Sequence, residues 1–412
     1  MDNLPISEID RRAEQLKEKL IAWRRDFHQH PELSNREHRT GKIVADHLRA
    51  LGLEVQFPVA RTGVVALLRG GKPGPIVALR ADMDALPVAE VGDLPFASKA
   101  KSEYEGNSVD VMHACGHDAH TAILMTVAEI LAGMKAQIAG TIKFIFQPAE
   151  EGPPGDEEGG AELMIKQGVL ENPRPAAIFG LHVIAGMPTG KIGYRPGATM
   201  ASGDTIRIKV QGRQTHGAFP WQGIDPVVLA SQIVIGLQTI PSRQVDVTME
   251  PSIVTISCIH GGVRENIIPD HVEMVGTMRT FNEAMRDDIR KRIRTTAEHI
   301  AMSAGGSAQV SIEPGYDVTI NDQGLTEKMA PTLQRVAGEG NTFIAPKLTG
   351  SEDFSKYQQV IPGLFFFLGI TPPDTKHAAP NHSPHFFVDE SGLLLGVRAL
   401  AHLAIDYLSR FP

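Results

Sequence analysis

Cysteine is almost missing from this chain of 412 residues, which has only Cys115 and Cys258. A framework of disulfide bonds is therefore excluded, and a reducing cytoplasm is the expected location. The net charge is −8 and no block of Lys and Arg occurs, so nucleic acid is not an expected partner. Residues 1–8 lack the basic and apolar regions of a signal peptide, and the apolar run 363–370 is far too short to cross a bilayer, so no membrane association is expected.

Bulk composition is that of a globular protein. Hydrophobic residues make up 42% of the chain and charged residues 21%, which is enough for a sizeable core and argues against extensive disorder. A length of 412 residues is too great for one ordinary domain. We therefore expect two domains, one of them inserted in the other.

Short apolar segments that end in polar residues dominate the first part of the chain. Segment 75–80 leads to Asp82 and Asp84, segment 141–146 leads to Glu150 and Glu151, and segment 177–181 leads to His182. Helical patterns lie between some of them, including one that starts near Asp118 and one with apolar residues from Ile9 to Phe27. Alternating strands and helices predict an α/β fold with a mostly parallel sheet, where functional groups collect beyond the carboxyl ends of the strands.

The pattern changes from about residue 192. Strand-like segments at 204–210, 252–260, 271–281 and 308–313 alternate with two helices, the first opened by Asp225 as N-cap and Pro226. The order βαββαβ is the ferredoxin-like arrangement, which is complete in itself. We therefore predict a catalytic domain in two parts, 1–191 and 316–412, with an inserted α+β domain at 192–315.

Cys115 and His117 are the first candidates for a chemical role. They are separated only by Gly116, which relaxes the backbone so that both side chains can turn toward one ion. Cys and His are usual ligands of Zn-like ions, and a metal lowers the pKa of the thiol. Since Asp118 precedes a helical pattern, it is expected to cap that helix or to support a ligand, and His120 falls inside the helix.

Glu150 and Glu151 form a second candidate pair. Neighbouring residues of extended backbone point in opposite directions, so one carboxylate can bind a metal while the other faces the substrate as a general base. The acidic residues that follow at 156–158 are expected to form a solvated loop.

Further candidates for metal ligands, and for the acids that support them, are identified by their place in the sequence. His182 comes directly after an apolar segment, and either His382 or His385 offers another imidazole near the C-terminal end. Either Asp82 or Asp84 is expected to hold a ligand histidine by its second nitrogen.

Four residues at or beyond the predicted insert are candidates for contact with the substrate. His216 and Asn266 can donate hydrogen bonds to an oxyanion, and Arg279 can clamp a carboxylate. Glu352 is similarly placed in a polar loop. Each also fits an ordinary structural role, which for Arg279 is the interpretation that the sequence alone favours.

Several motifs together resemble the aminoacylase/carboxypeptidase-type metallopeptidase family, in its branch of hippurate hydrolases, N-acyl-amino-acid amidohydrolases and auxin-conjugate hydrolases. They span nearly the whole chain in the family's order. The matching segments are Phe27–Leu33, Arg80–Pro87, Met112–His120, Gln147–Gly152, Gly180–His182, His216 with Gly223–Pro226, Gly262–Asp270, Gly350–Phe354 and His382–Pro384.

The resemblance implies a two-metal centre, with Mn, Zn, Ni or Co as the candidate ions. By motif match the ligands are Cys115, His117, Glu151, His182 and His382. It further implies an inserted lid that also dimerises, giving a homodimer or homotetramer.

The other roles that the resemblance implies concern the substrate and the supporting residues. Glu150 is the implied base, Asp84 orients a ligand, and His216 acts on the substrate, with Asn266 and Arg279 at its oxyanion and carboxylate. One departure from the family's usual pattern is the segment 217–222 after His216, Gly-Ala-Phe-Pro-Trp-Gln, which bears on substrate preference.

We therefore predict a metal-dependent amidohydrolase acting on an N-acyl amino acid or short peptide. A second hypothesis has Cys115 as nucleophile with His117 as base. A third is a metal-dependent binding or sensor protein without turnover.

Overall fold

A computed structural model of the chain describes residues 6–410. The α-helices in this range are α1 (Ile6–Gln15), α2 (Lys17–Gln29), α3 (His38–Ala50), α4 (His117–Ala132), α5 (Gly160–Lys166), α6 (Pro226–Thr239), α7 (Glu283–Ser303), α8 (Gln323–Ala337), α9 (Phe354–Gln358) and α10 (Leu393–Arg410). The β-strands are β1 (Glu54–Val59), β2 (Gly63–Arg69), β3 (Lys72–Asp82), β4 (Lys101–Tyr104), β5 (Asn107–Asp110), β6 (Ala139–Gln147), β7 (Ala177–Pro188), β8 (Ile192–Tyr194), β9 (Gly197–Met200), β10 (Asp204–Gln211), β11 (Thr215–His216), β12 (Ser252–His260), β13 (Ile267–Ile268), β14 (His271–Thr280), β15 (Ser307–Pro314), β16 (Thr319–Asn321), β17 (Thr342–Ile344) and β18 (Gly363–Thr371).

The chain falls into two compact units. The first contains the residues up to Gly197, Asn321–Pro346, and those from Lys356 onward. The second contains Ala198–Ile320 and Lys347–Ser355. The short segment Lys347–Ser355, which carries Glu352, thus belongs to the second unit.

An eight-stranded sheet forms the centre of the first unit, in the order β1-β2-β6-β3-β7-β18-β8-β17. Its four middle strands β6, β3, β7 and β18 are parallel to one another. Strand β18 is buried at every position, as its continuous apolar sequence requires of a central parallel strand. The predicted α/β fold with a mostly parallel sheet is therefore confirmed.

Helices α4 and α10 pack against this sheet and are themselves largely buried. Segment Glu390–Arg410, which includes α10, is long and apolar enough to cross a membrane, but 72% of its apolar window is buried inside the protein. That burial is typical of a core helix.

The second unit contains a four-stranded antiparallel sheet with the order β12-β14-β10-β15. Together with α6 and α7, this is the strand order of the ferredoxin-like arrangement. The predicted cap of α6 is present, because the Asp225 carboxylate accepts hydrogen bonds from the backbone N–H groups of Val227 and Val228.

The N-terminal helical pattern differs from the single helix that its spacing predicts. Helix α1 ends at Gln15 and α2 begins at Lys17, with Leu16 between them at φ −97° and ψ 2°. Ile9 and Phe27 are both buried in the same core. The apolar stripe therefore continues through a bend, which a spacing pattern cannot reveal.

Candidate metal centre

The carboxyl ends of the central strands bring the first candidates together. Asp82, the last residue of β3, lies opposite Gln147, the last residue of β6. His182 lies within β7, opposite Phe367 of β18, and not after the end of a strand as its sequence position predicts. Asp82 and Gln147 are neighbours because β3 and β6 end at one edge of the sheet, and His182 lies just beyond the last residue of β7 that pairs with β3.

Cys115 is the centre of a group of metal-ligating side chains. Its Sγ lies 3.4 Å from Nε2 of His182 and 3.3 Å from Nε2 of His382. Nε2 of His382 is in turn 3.2 Å from Oε1 of Glu151, which is 3.8 Å from Nε2 of His117. All five side chains for which the resemblance implies metal binding are thus gathered in one place in the first unit.

Gly116 makes the approach of Cys115 and His117 possible. Its φ is +90°, a left-handed conformation that side chains rarely adopt, and a Cβ here would lie 2.3 Å from Cγ2 of Val183. Helix α4 begins directly afterwards at His117. The short loop therefore delivers the thiol and the imidazole to the same side.

His182, a member of this group, and His120, which lies next to it, differ in role. His182 has its Nδ1 2.7 Å from the carbonyl oxygen of Val183, an acceptor, so Nδ1 carries the proton and Nε2 faces Cys115 with a free lone pair. His120 uses both nitrogens, with Nδ1 2.6 Å from Asp82 and Nε2 accepting from the Val183 N–H. His120 is therefore a structural residue.

Asp118 also lies outside the ligand group, although it adjoins His117 in sequence. Its carboxylate lies 3.0 Å from Nε of Arg24 and 2.8 Å from Nδ1 of His28. The side chain thus ties the first turn of α4 to helix α2.

The structure also distinguishes the two C-terminal histidines. His382 joins the group, with a left-handed backbone at φ +69° and its N–H bonded to the Ala114 carbonyl. His385 is exposed, and its Nδ1 lies 3.1 Å from the carbonyl oxygen of Val91. Asn381 anchors this loop, since its amide donates to the carbonyls of Cys115 and Val183 and accepts from the Ala185 N–H. No pattern in the sequence indicates this role of Asn381.

Asp84 holds the loop that carries the two glutamates. Its carboxylate accepts from the backbone N–H groups of Glu150 and Glu151 and from the Ser34 hydroxyl, and it lies 3.3 Å from Nδ1 of His117. The side chain is almost fully buried. Asp84 therefore orients a candidate ligand and positions both carboxylates together.

Glu37 has a supporting role that the sequence analysis missed. It is buried at the start of α3, where it accepts from the N–H of Ala149, from the N–H of Asn35 and from the Thr62 hydroxyl. Ala149 has φ +52°, so this bond helps to hold a strained residue directly before Glu150. Its sequence surroundings resemble an ordinary exposed helix start, and no pattern distinguishes it.

Electrostatics favour a cation in this group. Burial alone lowers the pKa of His117, but the nearby carboxylates of Asp82 and Asp84 outweigh it, so that the pKa lies well above its usual range. The buried carboxylates of Asp82 and Asp84 therefore favour a positive charge beside them. Burial, followed by the Glu151 carboxylate, raises the pKa of the Cys115 thiol, which a bound cation would oppose.

Two buried polar atoms are left for such a cation to satisfy. Nε2 of His117 and Oε1 of Glu151 have no hydrogen-bond partner among the described residues. Unpaired buried groups are costly unless something satisfies them. The donor set of sulfur, imidazole nitrogen and carboxylate oxygen fits Zn-like and related transition-metal ions.

The remaining candidates belong to the second unit. His216 is exposed in β11 and pairs with Ile267 of β13, which places it beside Asn266, whose carbonyl accepts from the Gly217 N–H. Arg279 donates to the Ser351 hydroxyl at 2.7 Å, and Glu352 is buried and accepts from the Phe354 N–H. The unit therefore brings His216 and Asn266 together and holds Arg279 near the segment of Glu352.

Comparison with known proteins extends over the whole chain. "Thermostable carboxypeptidase 2" of Saccharolobus solfataricus is 39% identical over 407 residues, 98% of this chain and 99% of the relative. "N-acetylcysteine deacetylase" of Bacillus subtilis is 37% identical over 95% of this chain and 97% of its own length.

A solved Bacillus subtilis structure, titled a dinuclear metal binding peptidase from the M20 family, matches with a TM-score of 0.80. It is 36% identical to this chain and covers 96% of it, with 99% of its own length matched. The profile of the peptidase family M20/M25/M40 matches residues 78–406. The chain therefore belongs to peptidase family M20/M25/M40 and is a metal-dependent hydrolase.

Proposed function

We propose that the protein hydrolyses the amide bond of N-acyl amino acids to a free amino acid and a carboxylic acid. The observation that carries this proposal is the placement of Glu150. Its carboxylate lies 3.8 Å from Nε2 of His117, and its backbone is fixed by Asp84 beside the ligand Glu151. A similar protein named as a deacetylase of an N-acyl amino acid supports the substrate class.

Two divalent ions of Mn, Zn, Ni or Co are the proposed cofactors. Two groups of donor atoms each lie within 4.8 Å of one another, Cys115 with His117 and His182, and Cys115 with Glu151 and His382. Cys115 belongs to both groups, so its side chain would be a ligand common to both. The relative described as dinuclear supports this number.

Proton transfer is the proposed task of Glu150. When bound, the cations polarise the substrate carbonyl and lower the pKa of water toward about 7. Glu150 accepts the proton of the attacking water and delivers it to the leaving nitrogen, so that the amine departs neutral. A base in such a position contributes on the order of 10²–10⁴ in rate.

Residues of the second unit are proposed to bind the substrate. His216 and Asn266 donate hydrogen bonds to the oxygen that becomes negative during attack, and His216 acts from the partner subunit. Arg279, whose guanidinium is half-buried, holds the carboxylate of the amino acid, and Glu352 supports this region.

The experiment that tests the proposal compares Glu150→Gln with the wild type after loading with Mn or Zn. We expect kcat to fall on the order of 10²–10⁴ on a panel of hippurate, acetyl amino acids, dipeptides and indole conjugates, with metal content unchanged. Glu162→Gln, which changes an exposed acid of α5, is the matched control. A Glu150→Gln variant with wild-type kcat contradicts the assigned role.

Removal of the metal separates this mechanism from nucleophilic attack by Cys115. Because burial raises the pKa of the thiol, Cys115 is a poor nucleophile without a cation. Dialysis against a strong chelator is expected to abolish activity, and Mn or Zn to restore it. Activity that survives complete removal of metal would favour the thiol mechanism.

We further propose that the protein forms a homodimer, or a homotetramer built from such dimers, through the second unit in the cytoplasm. Strand β12 is an edge of its sheet, and such an edge can pair with its own copy across a twofold axis. Helix α6 also exposes apolar side chains, among them Val228 and Ile235, the latter 70% exposed.

Light scattering tests this assembly. Ile235→Glu is expected to shift the mass to that of a monomer, whereas Met302→Glu, an equal change at another exposed apolar residue of the unit, is expected to leave it unchanged. A monomeric wild type, or an unaffected Ile235→Glu variant, contradicts the proposed interface.

A further inference from the structure

A cavity of about 460 Å³ lies beside Glu151 in the first unit. One wall is the hairpin of β4 and β5, which contributes Glu103, Tyr104 and Glu105. The turn residues Glu105 and Gly106 both have positive φ, +50° and +77°, as a tight two-residue hairpin requires. The hairpin therefore places two acids at a defined position near the candidate metal ligand.

The opposite wall is apolar and contains Leu33, Leu86 and Pro87. Leu33 packs in a small hydrophobic cluster against which Tyr104 is also packed, so this wall is tied to the hairpin. The volume falls within the range of about 300–1,000 Å³ that is usual for cavities holding small molecules. It has room for an aromatic ring and its linker.

The charge of this cavity is negative. Glu103 and Glu105 have no ion-pair partner within residues 6–410, whereas the third acid of the lining, Glu151, belongs to the candidate metal group. The single cation in the lining, Arg36, is already paired with Glu157 through two hydrogen bonds of 2.7 and 3.1 Å. An additional carboxylate in the cavity would therefore face the two unpaired acids of the hairpin and no free cation among the lining residues.

We propose that this cavity receives the acyl half of the substrate and selects acyl groups without charge, alkanoyl or arylalkanoyl, over dicarboxylic ones. The inference rests on the proposed hydrolysis of N-acyl amino acids. Every such substrate carries a carboxylate on its amino-acid half, which the acids of the cavity repel. The acyl half is the part that apolar walls such as Leu33 and Leu86 can bind by removing its surface from water.

Charge reversal on the hairpin tests the inference. The double variant Glu103→Lys/Glu105→Lys is compared with the wild type on one amino acid carrying an acetyl, a phenylacetyl or a succinyl group. We expect the wild type to prefer phenylacetyl and the variant to raise kcat/KM for succinyl about 10-fold relative to acetyl, with less effect at high salt. Glu327→Lys/Glu339→Lys, two charge reversals at exposed residues outside the cavity, is the control.

A binding measurement adds a readout other than turnover. In the Glu150→Gln background, calorimetry is expected to give a tighter Kd for the phenylacetyl amino acid than for the succinyl amino acid. Adding Glu103→Lys/Glu105→Lys is expected to reverse or remove that difference. If the protein hydrolyses N-acyl amino acids but these ratios do not respond to the hairpin charges, the inference is wrong and the proposed function stands. If no N-acyl amino acid is hydrolysed or bound by the metal-loaded wild type, the proposed function itself fails.

Discussion

Asp84 offers the sharpest test of how the candidate site is built. Asp84→Asn keeps the shape of the side chain but replaces one oxygen by an NH₂ group. The two carboxylate oxygens accept from Glu150 and Glu151 at 3.0 and 2.9 Å, one oxygen each. In either orientation of the amide, its NH₂ group therefore faces a backbone N–H that has lost its acceptor.

The expected loss of stability follows from the one backbone N–H that loses its acceptor. One buried donor without a partner costs about 1–3 kcal/mol, and the charge of the remaining acceptor is also lost. We expect the free energy of unfolding of the metal-free protein to fall by about 3 kcal/mol in urea titrations. Because His117 loses its carboxylate partner, we also expect metal affinity, measured by chelator competition, to fall about 10–100-fold.

A control separates loss of stability from loss of ligand orientation. Asp322→Ala, also in the first unit, removes the N-cap of α8 and is expected to cost about 1 kcal/mol without a change in metal affinity. If Asp84→Asn binds metal as tightly as the wild type, Asp84 does not orient His117.

Three further predictions concern the same unit. His382→Ala is expected to lower the metal content of the purified protein, whereas His385→Ala is expected to leave it unchanged, as elemental analysis can show. Gly116→Ala combines left-handed strain with a steric overlap and should reduce the free energy of unfolding by about 2–5 kcal/mol, while Gly52→Ala, left-handed but in open space, should cost about 1 kcal/mol. Burial tends to lower the pKa of His28, but hydrogen bonds to two carboxylates outweigh it and raise the pKa. Its contribution is therefore complete below about pH 6.5 and lost as pH rises through the raised pKa, so the difference in unfolding free energy between wild type and His28→Gln should be larger at about pH 6 than at about pH 9.

Local patterns predicted much of the fold because they report local physics. The continuous apolar segment at 363–370 is a buried strand, since only a strand covered on both faces tolerates such a sequence. Asp225 followed by Pro226 opens α6, because a carboxylate satisfies the free N–H groups of a helix start and Pro needs none there. The break between α1 and α2 at Leu16 was not predicted, because the apolar spacing continues through it.

The sequence by itself determined the types of side chain available for chemistry and their place at strand ends and in short loops, because periodicity and ligand type are properties of neighbouring residues. Only the tertiary structure decided that Asn381 anchors the loop of His382 to Cys115, that the imidazole of His120 bonds to Asp82, and that Glu37 supports Ala149. These outcomes depend on contacts between residues far apart in the chain. Such contacts are set by how the strands and loops pack, and spacing along the sequence carries no information about them.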